Sequence, residues 1–356
     1  MSQVNMFIYS IRCELLKSTS IISLLRRCSS LTSNARNLEV PEYDTKILKV
    51  GIIGVPNAGK STLINNLVNR MVCPSSSKAH TTRSKSMAIY TERDTQVVFL
   101  DTPGLVSEKE QNRYNLENSF KRDTKKALKD ADMIGVIHDV SNISRRERLD
   151  LKIIKLLEFH KEKPSFLIFN KVDILKSKRK LLDLTRIITN NCIRGKPIPG
   201  QIKSKHLSST DKMRGWPNFE EIFMVSALTG DGLAEVKKHL IANAKLGKWM
   251  FREEIWTDQS AENIIVTSVR AKLLDFLPQE IPYGLQTEIE YFDVNDEGII
   301  NTVVLVKCPS ARKAKLIAGV SDGKLKQITQ SVQDDLQNAF QCIVTIKIVL
   351  YPPYNE

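Results

Sequence analysis

Apolar and polar positions change their spacing along the chain, and the changes mark out elements. Ile47-Leu48-Lys49-Val50-Gly51-Ile52-Ile53 is an almost unbroken apolar run, as expected of a strand buried on both faces of a parallel sheet. Val97-Val98-Phe99-Leu100, Phe166-Leu167-Ile168-Phe169 and Ile222-Phe223-Met224-Val225 are runs of the same kind. With the helical stretch Ser61–Val68 after the first run, they predict an α/β domain over 46–247. From Gln259 the pattern differs. Ile264, Ile265, Val269, Leu273 and Leu274 recur at helical spacing up to Phe276. Leu285–Phe292 and Ile299–Lys307 read as strands joined by the turn Asn295-Asp296-Glu297-Gly298. Ser310–Ala318 and Leu325–Phe340 read as helices, and Ile343–Leu350 as a closing strand. The order α-β-β-α-α-β over 259–350 predicts a second, α+β domain, reached by a linker at 248–258.

Composition agrees with two globular domains. The chain has 356 residues, 42% of them hydrophobic and 26% charged, which excludes wholesale disorder. No run of about 18 apolar residues occurs, so no transmembrane helix is expected. The six cysteines form no CxxC pair, which excludes a zinc ribbon or a disulfide scaffold and fits free thiols in a reducing compartment. The net charge of +13 suits a polyanion, either nucleic acid or an acidic membrane. It is unevenly spread: residues 257–356 hold 9 Lys+Arg against 13 Asp+Glu, a net −4. Residues 1–38 contain Arg12, Lys17, Arg26, Arg27 and Arg36 with one acid, Glu14, among serines and leucines. They read as a mitochondrial transit peptide or a disordered basic leader. Residues 191–218 hold six bases against Asp211 and read as a basic insertion. It is either a surface loop or a non-specific contact with the phosphates of a nucleic acid.

The chemistry is concentrated where strands end. The first apolar run leads into Gly54-Val55-Pro56-Asn57-Ala58-Gly59-Lys60-Ser61, the G-x-x-x-x-G-K-S spacing between a strand and a helix. Gly54 and Gly59 let backbone N–H groups wrap a phosphate, and the next helix adds its positive end. Pro56, Asn57, Ala58 and Thr62 complete the candidate loop. Lys60 places a cation on the β- and γ-phosphates, and the Ser61 hydroxyl can bind Mg²⁺. Asn170-Lys171-Val172-Asp173 follows another strand. A carboxylate at Asp173 accepts from both N1–H and the 2-amino group of guanine, a donor pair that adenine lacks. Asp101-Thr102-Pro103-Gly104 would hold Mg²⁺ through water at Asp101 and sense the γ-phosphate at Gly104. Ser226-Ala227-Leu228 would supply backbone contacts to the guanine edge. Thr82, with Thr81 as the alternative, is the candidate switch hydroxyl for Mg²⁺. His138, His160, His206 and His239 show no ligand spacing.

The order P-loop, Thr-Thr-Arg, DTPG, NKVD, SAL resembles the translation-factor-like GTPases. GVPNAGKS followed by KAHTTRS resembles the Era family within them. So does the segment from Thr257-Asp258-Gln259-Ser260 through Val269-Arg270-Ala271-Lys272-Leu273 to Glu280-Ile281-Pro282-Tyr283. The resemblance covers about 46–350 and implies a three-layer P-loop GTPase domain followed by a prokaryotic-type KH domain. It implies slow hydrolysis of GTP to GDP and phosphate with Mg²⁺, with Lys60, Thr82, Gly104 and Asn57 at the reacting phosphate. Leu105, standing where Ras-like enzymes keep a water-orienting Gln, fits slow turnover. Some relatives with Asn at the place of Asn57 use K⁺, so K⁺ is a second candidate cation. With the leader, the resemblance implies a mitochondrial member in the matrix that assembles the small ribosomal subunit by binding near the 3′ end of its rRNA. Peripheral contact with the inner membrane is a further candidate. The rival expectation is a regulatory GTPase acting on a protein or membrane partner.

KH domains grip RNA phosphates with a GxxG turn. Here the turn reads Gly319-Val320-Ser321-Asp322-Gly323-Lys324-Leu325-Lys326, so the second family glycine falls on Asp322, with Gly323 one place late. Asp322 is then either an acid that weakens the clamp or a cap on the following helix. Gly319, Gly323, Lys324, Lys326, Arg312, Lys313 and Lys315 are the candidate RNA contacts. Ile317 and Leu325 are the expected apolar platform for bases.

Overall fold

The computed structural model describes residues 44–73, 86–101, 119–199, 214–278 and 281–351. They fall into two units, 44–258 and 259–351. In chain order the first carries β1 (Lys46–Ile53), α1 (Lys60–Val68), β2 (Ser86–Glu92), β3 (Thr95–Asp101), α2 (Ser119–Asp130), β4 (Met133–Asp139), α3 (Leu151–Phe159) and β5 (Ser165–Asn170). After these come α4 (Arg179–Ile188), β6 (Cys192–Ile193), β7 (Lys196–Pro197), β8 (Glu221–Met224), α5 (Leu233–Ala242) and β9 (Lys245–Leu246). The main sheet runs β2-β3-β1-β4-β5-β8, parallel except for β2, with β9 antiparallel to the start of β1.

The unbroken apolar runs are explained by a core on each face. Leu48, Val50 and Ile52 of β1, with Phe166 and Ile168 of β5, pack against Leu63, Ile64 and Leu67 of α1 and Val236 and Leu240 of α5. Ile53, Leu167 and Phe169 point the other way, onto Ile153 and Leu157 of α3 and Leu181, Leu184 and Ile188 of α4. Successive side chains alternate between faces, and both faces are covered by helices, which makes three layers.

Residues 248–258, expected as a linker, are fastened to the sheet. Gln96 is fully buried. Its side chain accepts from the N–H groups of Met250 and Phe251 and donates to Phe251 O. The Trp249 indole N–H donates to Lys46 O and Asp94 O. Further along, Ile89 N donates to Trp256 O, Thr257 Oγ1 to Met87 O, and Met87 N to Asp258 Oδ1. Phe251 and Ile255 pack on Ile89, Val98 and Leu100. This strap satisfies the open edge of β2, whose backbone would otherwise invite another strand.

The ends of the basic insertion are also built in. β6 and β7 form a two-stranded hairpin, and Arg194 N and Gly195 N donate to Phe219 O and Pro217 O. Trp216 and Phe219 are buried in the α3–α4 core. A Cβ on Gly215 would lie 2.1 Å from Ile188 O, so only glycine lets this return pass the end of α4.

The second unit has α6 (Ala261–Phe276), β10 (Gln286–Val294), β11 (Ile300–Lys307), α7 (Ala311–Ala318), α8 (Gly323–Phe340) and β12 (Val344–Tyr351). Ser260 caps α6 by accepting from Asn263 N. β10 is antiparallel and β12 parallel to β11. Ile300, Thr302, Val304 and Val306 alternate inward from β11, as a sheet with one covered face requires. Lys272 of α6 and Asp335 of α8 form an ion pair of 2.7 Å. The α-β-β-α-α-β order is that of a KH-type fold.

Candidate functional site

The phosphate loop leaves the carboxyl end of β1. Gly54 is fixed by packing: a Cβ there would meet Ile137 Cγ2 at 2.6 Å and Ile137 O at 2.7 Å. Gly59 has φ 97°, and a Cβ there would meet Asn170 Nδ2 at 2.3 Å. Asn57 is exposed with φ 61°, a left-handed conformation that Asn tolerates. Pro56 is half-buried, and Ala58 is buried. Lys60 begins α1 and points back over the loop, donating to Gly54 O at 3.2 Å and Val55 O at 3.1 Å. Burial lowers its pKa to about 8, although Asp101 pulls the other way. Ser61 and Thr62, half-buried, follow in the first turn of α1. Asp101 ends β3 with no exposed surface. Beside it, Cys73 is held well above the ordinary thiol pKa, first by burial and then by the Asp101 carboxylate.

Asn170 ties three segments together. It is 1% exposed, donates to Ala58 O at 2.8 Å and accepts from Ala227 N at 2.8 Å. The phosphate loop and the Ser226-Ala227-Leu228 loop are thus held by one amide. Ser226 is buried, and its hydroxyl accepts from Thr229 N. Ala227 N–H is engaged by Asn170, which leaves the Leu228 N–H as the donor without a partner among the described residues. Leu228 itself is 80% exposed. Lys171 (φ 65°) reaches Asn57 O at 2.9 Å and Asp139 Oδ2 at 2.7 Å. Burial pushes the Asp139 carboxyl up, but Lys171 and Ser141 outweigh it and the pKa falls. Asp173 is exposed in the turn Val172–Ile174, with Val172 N anchored on Val225 O.

Sequence reading missed Asp139, Asn65 and Asn66. Asn66 Nδ2 donates to Ala227 O, and Asn65 bonds both Val72 N and Cys73 N. The adjacent Asn-Asn pair inside a helix was the available signal, because Asn is a poor helix former kept for its side-chain bonds. Thr82 and Gly104 lie outside the described residues, as do Thr81, Leu105 and the leader. His138 and His239 are structural. The first bonds Arg146 O, and the second stacks edge-on against Phe166 and Phe223.

The turn between α7 and α8 departs from a regular GxxG. Gly319 has φ 76°, and a Cβ there would lie 2.7 Å from Lys324 Cβ. Ser321 (φ 50°) and Asp322 (φ 56°) are both left-handed, whereas Gly323 is right-handed (φ −62°) with open space around it. The conformational demand for a second glycine therefore falls on Asp322. Its carboxylate takes the cap position of α8 but makes no capping hydrogen bond. Arg312, Lys315 and Lys326 are exposed, and Lys313 and Lys324 half-buried. Ile317 is not a base platform. It is fully buried in the core, and the exposed apolar side chains flanking the turn are Leu316 and Val320, the latter 92% exposed.

A glycine-wrapped phosphate loop, an Asn-Lys-x-Asp guanine motif bracketed onto it, and a parallel three-layer sheet define a P-loop GTPase. The family profile described as 50S ribosome-binding GTPase matches residues 49–171. Over 335 residues the chain is 36% identical to GTPase Era, mitochondrial, of Danio rerio, covering 86% of this chain and 75% of that one. It is 32% identical to the same protein of Salmo salar, covering 86% and 76%. The chain belongs to the Era family of GTPases. Among solved structures it is similar to a single-residue variant of Aquifex aeolicus Era bound to GDP·AlF4⁻, with TM-score 0.67 and 25% identity over 86% of this chain and 93% of that one. It is also similar in fold to Era in complex with MgGDPNP and nucleotides 1506–1542 of 16S ribosomal RNA, with TM-score 0.68 and 24% identity over 87% and 95%.

Proposed function

We propose that this GTPase is an assembly factor of the mitochondrial small ribosomal subunit, in the matrix, which binds that subunit's rRNA through the turn between α7 and α8. The observation that carries the reading is the joining, in one chain, of a bracketed guanine-nucleotide site to an α-β-β-α-α-β unit with a glycine turn flanked in sequence by Arg312, Lys313, Lys315, Lys324 and Lys326. Similarity to mitochondrial Era proteins over 86% of this chain, and the rRNA held by a structural relative, support it.

The residues divide the work. Lys60 exchanges its two carbonyl partners for the β- and γ-phosphates. The Asn170 amide holds the phosphate and base loops at one spacing. Lys171 braces the loop at Asn57 and Asp139, which leaves Asp173 free in the turn to accept from guanine. The hydroxyl of Ser61 and the buried carboxylate of Asp101 are hard oxygen donors that fit Mg²⁺. When bound, the ion neutralises charge on the phosphate oxygens. Asn57 is the candidate ligand for K⁺; turnover should be faster in potassium than in sodium, and Asn57→Ala should remove the difference.

Crosslinking in mitochondria tests the reading: the recovered RNA should be the small-subunit rRNA near its 3′ end. Recovery of other RNA or none, with GTP hydrolysis intact, would favour a regulatory GTPase with a protein or membrane partner. Asp173→Asn should lower GTP affinity by about two orders of magnitude and improve XTP binding. Unchanged GTP affinity removes Asp173 from the site.

A further inference from the structure

The loops that follow β4 and β5 are neighbours. The two strands are parallel and in register at His138↔Phe169 and Asp139↔Asn170, and Val140 N donates to Asn170 O. Leu149, at the end of the first loop, shares a core with Leu181 in the first turns of α4. Over 140–150 and 171–180, the two loops and the first two residues of α4, there are eight bases and three acids, Glu147, Asp150 and Asp173. Lys171 is taken by Asp139. Arg146 is half-buried and near Glu147 at 4.0 Å. The other six, Arg145, Arg148, Lys176, Lys178, Arg179 and Lys180, are exposed, and among the described residues none has an acidic partner.

Three further observations indicate what this surface meets. Lys178, Arg179 and Lys180 crowd the N-terminal end of α4, which has no acid in its first turn and no side-chain cap. Cations at the positive end of a helix are unfavourable, and an anionic partner offsets that. Residues 257–356 have a net charge of −4, while residues 44–256 hold 39 Lys+Arg against 24 Asp+Glu, a net +15. Long-range attraction of a polyanion is therefore a property of the first unit, although the glycine turn is in the second. Neither loop has a Trp, Tyr or Phe, the side chains that anchor proteins at a membrane interface.

We propose that the loops 142–149 and 174–180 form a second, sequence-independent contact with the phosphate backbone of the RNA. The inference rests on the reading that the chain binds rRNA. Such contacts supply affinity and register without reading bases.

The test is the full chain with Arg145, Arg148, Lys178 and Lys180 all changed to Gln, which keeps side-chain length and removes charge. The probe is a labelled transcript of the small-subunit rRNA 3′ end, titrated across a range of salt. Each phosphate contact contributes roughly 0.7 to 0.9 to the slope of log affinity against log salt, so the slope should fall by about 3 and low-salt affinity by roughly tenfold or more. GTP affinity and thermal midpoint should be unchanged. If the fourfold variant does not fold, the Arg145/Arg148 and Lys178/Lys180 pairs should each give about half the change in slope. RNA binding with an unaltered slope would overturn this inference and leave the rRNA reading standing, whereas no RNA binding by the unmodified chain would overturn both. Loss of binding to phosphatidylglycerol vesicles with RNA binding intact would make the surface a membrane contact and also overturn it.

Discussion

At the scale of single residues, Lys60 carries the sharpest expectation. Its folded pKa of about 8 lies below the ordinary 10.5, chiefly because burial disfavours the ammonium. Between those values the unfolded chain binds more protons than the folded one. The nucleotide-free protein should therefore gain stability as pH rises from about 8 towards 10.5, and Lys60 should be a cost below 8. Nucleotide has the opposite sign, because phosphate restores the charge and binding takes up a proton above pH 8. Affinity for GTP should be flat below pH 8 and fall by up to about tenfold per pH unit above it. Fluorescent-nucleotide titrations at several pH values, with urea midpoints of the empty protein, check both. Lys60→Met should bind weakly with no such slope. A wild-type affinity independent of pH up to about 9.5 would rule out the buried ammonium.

At the scale of elements, two connections decide the behaviour. The 248–258 strap depends on Gln96, one buried side chain with three bonds to the strap backbone. Gln96→Leu orphans two N–H groups and a carbonyl and should cost about 3 kcal/mol. The amides of Met250 and Phe251 should then exchange faster in hydrogen-exchange measurements, and unchanged protection would refute the latch. The α7–α8 turn offers the converse. Asp322→Gly removes a side chain from a left-handed position and a carboxylate from the candidate phosphate site. Stability should rise by roughly 1 kcal/mol, read from denaturant midpoints, and rRNA affinity should rise with it. A drop in affinity would show that the irregular turn is the form RNA selects.

For the whole molecule, charge and address are separate properties. Among the described residues no helix is long and apolar enough to cross a membrane. The nucleotide motifs all begin after Ile47, and the leader composition suits import. A chain starting at Leu38 should therefore bind GTP as the full chain does yet remain in the cytosol, followed by fractionation. Mitochondrial accumulation of the shortened chain would show that the address lies elsewhere.

How much of this was legible depended on whether an interaction is local in sequence. Unbroken apolar runs, helical spacing, a strand running into GVPNAGKS, and NKVD after another strand were readable because strand ends and turns place neighbouring residues at fixed separations. They predicted the α/β domain and the α-β-β-α-α-β unit, and made Lys60 and Asp173 the candidates for phosphate and guanine. Tertiary structure decided what depends on distant partners. Asn170 spans 112 positions to Ala58, Lys171 reaches Asp139 across 32, and Gln96 holds a strap 155 positions away. Ile317 has the pattern of a surface base platform, but burial in the core claims it, because the side of α7 that it occupies is set by packing and not by the residues next to it. The basic surface on the loops after β4 and β5 is of the same kind. Two charge runs some thirty positions apart are brought to the same end of the sheet because parallel pairing sets the carboxyl ends of neighbouring strands side by side.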